Sequence, residues 1–190
     1  PPPFFFHADS AIRAAQVSRG LGDVYKRQVF VPYLKKLKLK NQIFASPDAG
    51  GAERVREYAK YFDTDFVICD KNREKANQVK SVQVIGDVEG KDVIIIDDLI
   101  DTGGTISKAS QVIMDKGANS VRALISHPVL SGNAEKNIED SALEELVVTD
   151  SIPLKFRNKK IKVLSIAGLF AKAIRKIHEN ESTSSLFINR

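Results

Sequence analysis

Three carboxylates, two glycines and two threonine hydroxyls fall within thirteen residues, 93–105, VIIIDDLIDTGGT. The glycines, Gly103 and Gly104, carry no Cβ. The backbone can therefore turn sharply there and bring successive N–H groups close to a ligand at the start of a helix, an arrangement that suits a phosphate. Thr102 and Thr105 add hydroxyl donors. Carboxylates repel phosphate, so Asp97 and Asp98 should meet another part of the ligand, one offering hydroxyl donors or a bound cation. A phosphate at one end and vicinal hydroxyls at the other describe a sugar phosphate. The plainer alternative is a structural acidic turn at a strand end. The stretch is neither a Walker A loop nor a G-x-G-x-x-G dinucleotide turn.

The elements around this stretch must hold it at the edge of a sheet. Val93 to Ile96 form an apolar run too short for a helix and without alternation, which predicts a parallel strand buried on both faces, with Asp97 and Asp98 at its carboxyl end. The helix after it has its apolar stripe at Ile106, Ala109 and Ile113, with Gly117 placed to cap it. Earlier, QIFASPD predicts a strand ending near Asp48. Gly50 and Gly51 then open a helix with apolar positions at Val55, Tyr58, Ala59 and Phe62. DFVICD predicts the next strand, with Cys69 as a small core residue. Further strands are expected near 121–125, 146–148 and 163–166, and a last helix over about 168–179. Strand and helix in regular alternation predict an α/β fold, a mostly parallel sheet flanked by helices on both faces. VFVPYLKKLKL, from Val29, predicts a short helix with Pro32 near its start.

Two other places carry chemistry. Asp48, at a strand end before two glycines, fits a helix cap and a Mg²⁺ ligand equally well, since Mg²⁺ takes one or two carboxylates plus substrate phosphates. Residues 70–75, DKNREK, have no apolar period and predict an exposed, mobile loop. Such mixed charge commonly marks a solvated surface, yet lysine and arginine on a closing loop also supply what phosphoryl-type transfer requires. His127 reads as a satisfied structural residue at a strand end.

Composition narrows the class. Hydrophobic residues at 43% and charged residues at 28% describe an ordinary globular chain. The formal charge is +5; residues 1–28 hold four basic and two acidic side chains, which leaves +3 for the rest, too little and too scattered for nucleic acid. One cysteine excludes a disulfide framework and fits a reducing, cytoplasmic setting. No apolar run approaches the roughly 18 residues of a membrane span. Residues 1–28 do not continue the pattern that follows and are set apart as a non-native or disordered lead, with one domain over 29–190.

VIIIDDLIDTGGT resembles the phosphoribosyl-diphosphate (PRPP) loop of type I phosphoribosyltransferase folds. SPDAGG at 46–51, DKNREKAN at 70–77, SHPVLSGNA at 126–134 and ELVVTDSIPL at 145–154 extend the resemblance, in order and spacing, to the PRPP synthetase family. It covers about residues 29–190, the second half of such an enzyme. The resemblance implies transfer of diphosphate from ATP to ribose 5-phosphate with Mg²⁺. It gives Asp97, Asp98, Asp101, Thr102, Gly103, Gly104 and Thr105 the sugar phosphate, Asp48 the metal, and Lys71 and Arg73 catalytic roles. Asn72 departs from relatives that are basic there. An amino-terminal domain absent from this chain and a homo-oligomer, hexameric in the family, are implied as partners, and 181–184 resembles part of an allosteric site between subunits. The rivals are a salvage phosphoribosyltransferase, disfavoured by SPDAGG and the matching flanks, and a non-catalytic regulatory subunit, disfavoured by the intact DTGGT loop and the Lys71 and Arg73 pair.

Overall fold

The computed structural model describes residues 27–75 and 78–186; most of the lead therefore lies outside the described residues. Seven strands form one sheet in the order β3-β2-β1-β4-β5-β6-β7. They are β1 (Gln42–Ser46), β2 (Phe66–Lys75), β3 (Gln78–Ile85), β4 (Asp92–Ile100), β5 (Ser120–Pro128), β6 (Glu145–Thr149) and β7 (Ile161–Leu164). Only the β2/β3 pair is antiparallel. The helices are α1 (27–37), α2 (Ala52–Phe62), α3 (Gly104–Asp115), α4 (Ala134–Glu139) and α5 (Ala167–His178).

The expected α/β fold with helices on both faces is present, and β4 shows why. Val93, Ile94, Ile95 and Ile96 are all buried to 1% exposure or less. Side chains alternate across a strand, so Val93 and Ile95 join one core, with Ile106, Ala109 and Ile113 of α3 and with Ala134 and Ile138 of α4. Ile94 and Ile96 join the other, with Phe30 and Leu34 of α1 and with Val55 and Tyr58 of α2. Cys69 is buried in the first core. Gly117 follows α3 at φ +86°, the left-handed conformation a glycine takes without cost.

Several expectations need correction. Residues 70–75 are not a loop: they continue β2 and pair with β3 from Asp70↔Gln83 to Lys75↔Gln78. A two-stranded ribbon projecting past the body of a sheet satisfies its backbone across the pair and requires no apolar face, so periodicity alone cannot detect it. β3 also escaped the sequence reading, although Val84 lies in the first core and Val82 packs against it, as did α4, whose six residues are too short to display a helical period. Pro32 lies inside α1, not near its start, since the helix is already formed at residue 27. It stands on the exposed side, where the carbonyl it leaves without a partner can face water.

One apolar surface stays open. On α5, Phe170, Ile174 and Ile177 are 47%, 65% and 66% exposed, and Val163 of β7 is 44% exposed. No helix of the described residues is long and apolar enough to cross a membrane.

Ile95 sits fully buried at the centre of this arrangement. Ile95→Ala should destabilise the chain by about 2–5 kcal/mol through lost burial and a residual cavity, read as a lower urea midpoint at unchanged slope; a shift below about 0.5 kcal/mol would mean that β4 is not the core.

Candidate functional site

The order of winding reverses at β1. The chain moves outward from β1 to β2 and β3, then returns to β1's other side with β4 and continues outward to β7. In open α/β sheets the crevice beyond the carboxyl ends of two such strands is the ligand site. The β1–β4 register runs from Gln42↔Asp92 to Ala45↔Ile95, whereas β4 stays paired with β5 through Ile100↔Pro128. β4 therefore outruns β1, and Asp97 and Asp98 lie on the stretch where its β1 side has opened.

Arg54, near the start of α2, closes over these two acids. Its Nη1 donates to Asp97 Oδ1 at 2.8 Å and its Nη2 to Asp98 Oδ2 at 2.9 Å. Asp97 Oδ1 also accepts the Asp98 backbone N–H at 2.8 Å. The Arg54 and Asp97 side chains are 17% and 20% exposed, Asp98 48%. Burial, with hydrogen bonding to and repulsion from Asp98 adding to it, pushes the Asp97 carboxyl up to about 6; the Asp98 N–H and Arg54 pull the other way. Arg54 was not singled out from the sequence. A cation in a helix's first turn opposes the helix dipole and so calls for an acidic partner, which was the available signal.

Asp48 follows β1 and caps the next turn, its Oδ1 accepting the Gly51 N–H at 3.1 Å. The Ser46 hydroxyl donates to the Asp48 carbonyl at 2.5 Å. A Cβ on Gly51 would stand 2.5 Å from Ser46 Oγ, so this turn admits only glycine without rearrangement. The capping half of the expectation is thus observed. Among the described residues no group of three or more His, Cys, Asp or Glu side chains converges on a metal position.

The segment Asp101-Thr102-Gly103-Gly104-Thr105 passes from β4 into α3, with Gly103 as N-cap at φ +74°. Its shape is set from one side by residues 129–137. The Val129 and Leu130 N–H groups donate to the Ile100 carbonyl at 3.0 and 3.2 Å, and the Ser131 N–H to the Asp101 carbonyl at 3.1 Å. Asn137 Nδ2 donates to the Thr102 carbonyl at 2.8 Å. The Ser131 hydroxyl donates to the Asp101 carboxylate. Three successive carbonyls are thereby drawn to one wall. A Cβ on Gly104 would find no atom within 3.8 Å, its nearest neighbours being Asn137 Nδ2 and Thr102 Oγ1 at 3.9 Å. The space over Gly104 is open at the positive end of a twelve-residue helix, whereas Gly103 lies against α4.

Lys71 and Arg73 are on the part of β2 that extends beyond the last β1 pair, Ser46↔Ile68, and so on the same carboxyl edge as Asp48 and Asp97. Their side chains lie outside the described residues. His127 Nδ1 is 3.0 Å from Ser151 Oγ, which donates to the Ser126 carbonyl, in keeping with a structural role. In the 181–184 segment, Thr183 begins a 3-10 turn after α5.

A family model described as a phosphoribosyl synthetase-associated domain matches residues 40–188. The chain belongs to this family. A ribose-phosphate pyrophosphokinase of Helicobacter hepaticus is 56% identical over 165 residues, 87% of this chain and 53% of that protein. A solved phosphoribosylpyrophosphate synthetase from Mycobacterium smegmatis is 32% identical with a TM-score of 0.74, covering 81% of this chain and 51% of that one. An orotate phosphoribosyltransferase from Aeropyrum pernix, at 15% identity and a TM-score of 0.52 over 90% of this chain and 84% of that one, shares the fold. The chain spans about half the length of the curated relatives it matches. The resemblance to the synthetase family, carried by VIIIDDLIDTGGT and its flanks, is borne out by these matches.

The raised Asp97 carboxyl has a consequence for stability. A group that binds its proton more tightly folded than unfolded lowers stability as pH climbs from its ordinary value, 3.8, through its folded value, about 6. Removing that charge should therefore help above pH 6 and make no difference at pH 3. The urea-unfolding free energy of Asp97→Asn relative to the parent chain is expected to rise by about 2–3 kcal/mol across that interval. A difference constant with pH would show that Asp97 titrates normally.

Proposed function

We propose that the protein to which this chain belongs is a ribose-phosphate diphosphokinase. It moves the β,γ-diphosphate of ATP to the anomeric hydroxyl of ribose 5-phosphate, giving PRPP and AMP for nucleotide synthesis. The observation that carries the reading is the side-by-side placement of two opposite chemistries at the β1/β4 crevice: a carboxylate pair held by Arg54, and an open loop of glycines and hydroxyls at a helix N-terminus.

In this reading Thr102, Gly103, Gly104 and Thr105 bind the 5-phosphate through backbone N–H and hydroxyl donors. Asp97, Asp98 and Asp101 accept hydrogen bonds from the ribose hydroxyls. Arg54 offsets the charge of the first two, which lets them sit near a phosphate. Asp48 fits a Mg²⁺ ligand as the single carboxylate that such an ion takes alongside substrate phosphates. When bound, Mg²⁺ would neutralise phosphate charge. Lys71 and Arg73, on the β2/β3 arm, stabilise the diphosphate in transfer and the negative charge that builds on the oxygen leaving with AMP. No nucleophilic side chain is required, since the sugar hydroxyl attacks directly.

Residues 29–190, with the first residues of α1 at 27–28, form the phosphoribosyltransferase-like domain, and the stretch before them is a lead. The ATP pocket is completed by an amino-terminal domain and a neighbouring subunit of a cytoplasmic homo-oligomer. The uncovered apolar stripe of α5 fits burial against such a surface.

Gly104→Val tests the phosphate loop. A Cβ at Gly104 meets the neighbouring side chains no closer than 3.9 Å, so the variant should fold, while its methyl groups take the anion's place. Each charge-assisted hydrogen bond lost is worth about 1.5–3 kcal/mol, so calorimetric titration should show ribose 5-phosphate binding abolished. Unchanged affinity in the folded variant would refute the assignment. The 190-residue chain itself should bind ribose 5-phosphate but release no AMP from Mg-ATP, because misplacement of the reacting groups by about 1 Å already costs a hundredfold in rate. Turnover by the chain alone would mean that both substrate sites lie within it.

A further inference from the structure

Asn137 is given no part in ligand binding above, yet its side chain bonds directly to the backbone of the turn entering the phosphate loop. Its Nδ2 donates to the Thr102 carbonyl at 2.8 Å. No peptide bond in the described chain is cis. In a trans peptide the C=O and the following N–H point in opposite directions. A Thr102 carbonyl turned toward Asn137 therefore turns the Gly103 N–H away from α4. The Gly103 carbonyl is fixed by the Ser107 N–H at 2.9 Å, but at φ +74° the glycine itself does little to hold the preceding peptide in one orientation.

A six-residue helix is not stable by itself, and the one carrying Asn137 is tied down by burial and hydrogen bonds. Ile138 is buried at 1% exposure. The Lys160 ammonium donates to the carbonyls of Ile138, Glu139 and Ser141 at 3.3, 2.9 and 2.6 Å, closing the helix's carboxyl end where orphan carbonyls and the dipole favour a cation. Gly103 lies directly on this helix: a Cβ there would be 3.6 Å from both Asn137 Cβ and Ile138 Cγ1.

We infer that Asn137 is a positioning residue for the anion, holding the Thr102–Gly103 peptide so that its N–H joins the phosphate cradle. The inference rests on the phosphate-loop reading proposed above and adds to it the residue that presets the loop. Without the amide donor the peptide can flip, presenting a carbonyl oxygen to the anion in place of an N–H.

The test titrates the 190-residue chain and its Asn137→Ala, Asn137→Asp and Asn137→Gln variants with ribose 5-phosphate by calorimetry. The Gly103 amide resonance is followed alongside, and urea midpoints report folding. Asn137→Ala and Asn137→Asp should bind at least tenfold more weakly at nearly unchanged midpoints, with the Gly103 amide no longer shifted by ligand. Asn137→Gln, which keeps an amide donor, should recover part of the affinity. If the parent chain binds and the Ala and Asp variants bind equally well, the inference falls and the phosphate loop stands. Weakened binding that merely tracks a lowered midpoint, with the Gly103 shift intact, would reduce Asn137 to a structural residue and also overturn it. If the parent chain shows no binding and no Gly103 shift, the phosphate-loop reading fails and this inference with it.

Discussion

β4 runs through the middle of the sheet with helices on both sides of it, and its Val93–Ile96 segment has no face left for water. A strand in that position must be apolar throughout, and its polar continuation can only emerge where a neighbour ends. β1 ends first, at Ser46, so the emergence point is next to Asp48 and beneath the start of α2. The acids on β4 thus lie beside a crevice because of a difference in strand length, itself set by how far the apolar run extends.

The charges in that crevice are arranged in layers. Asp97 is largely buried, and a carboxylate there without compensation would be driven toward its neutral form. The Arg54 guanidinium compensates with a planar fork whose two nitrogens each take a different acid, a geometry lysine's single ammonium does not reproduce. Because Arg54 is carried by α2, the orientation of the acid pair depends on α2's packing through Val55, Tyr58 and Ala59. The glycine loop is held differently, by neutral hydrogen bonds from residues 129–137 to successive carbonyls. That leaves the loop's other side to the N–H groups of the α3 terminus. Cation-held acids and carbonyl-held amides occupy adjoining positions at the β4/α3 junction.

What the sequence by itself determined was largely local. The apolar run at 93–96, the stripe of α3, the glycine at 117 and the acid and glycine types of 97–105 each express a short-range requirement of burial, helix period or backbone freedom, so they could be read directly. The DTGGT pattern and its flanks carried the family because those residue types at that spacing are restrictive. The tertiary structure decided what depends on chain segments far apart in sequence. Arg54 reaches acids 43 and 44 residues away, and Asn137 a carbonyl 35 residues away. No periodicity encodes such pairings, because they arise when the sheet order brings α2 and α4 to the two sides of β4's end. The same holds for residues 70–75, whose charges read as a loop and whose backbone is paired with β3. A strand that satisfies its hydrogen bonds in a partner need not declare itself in its own side chains.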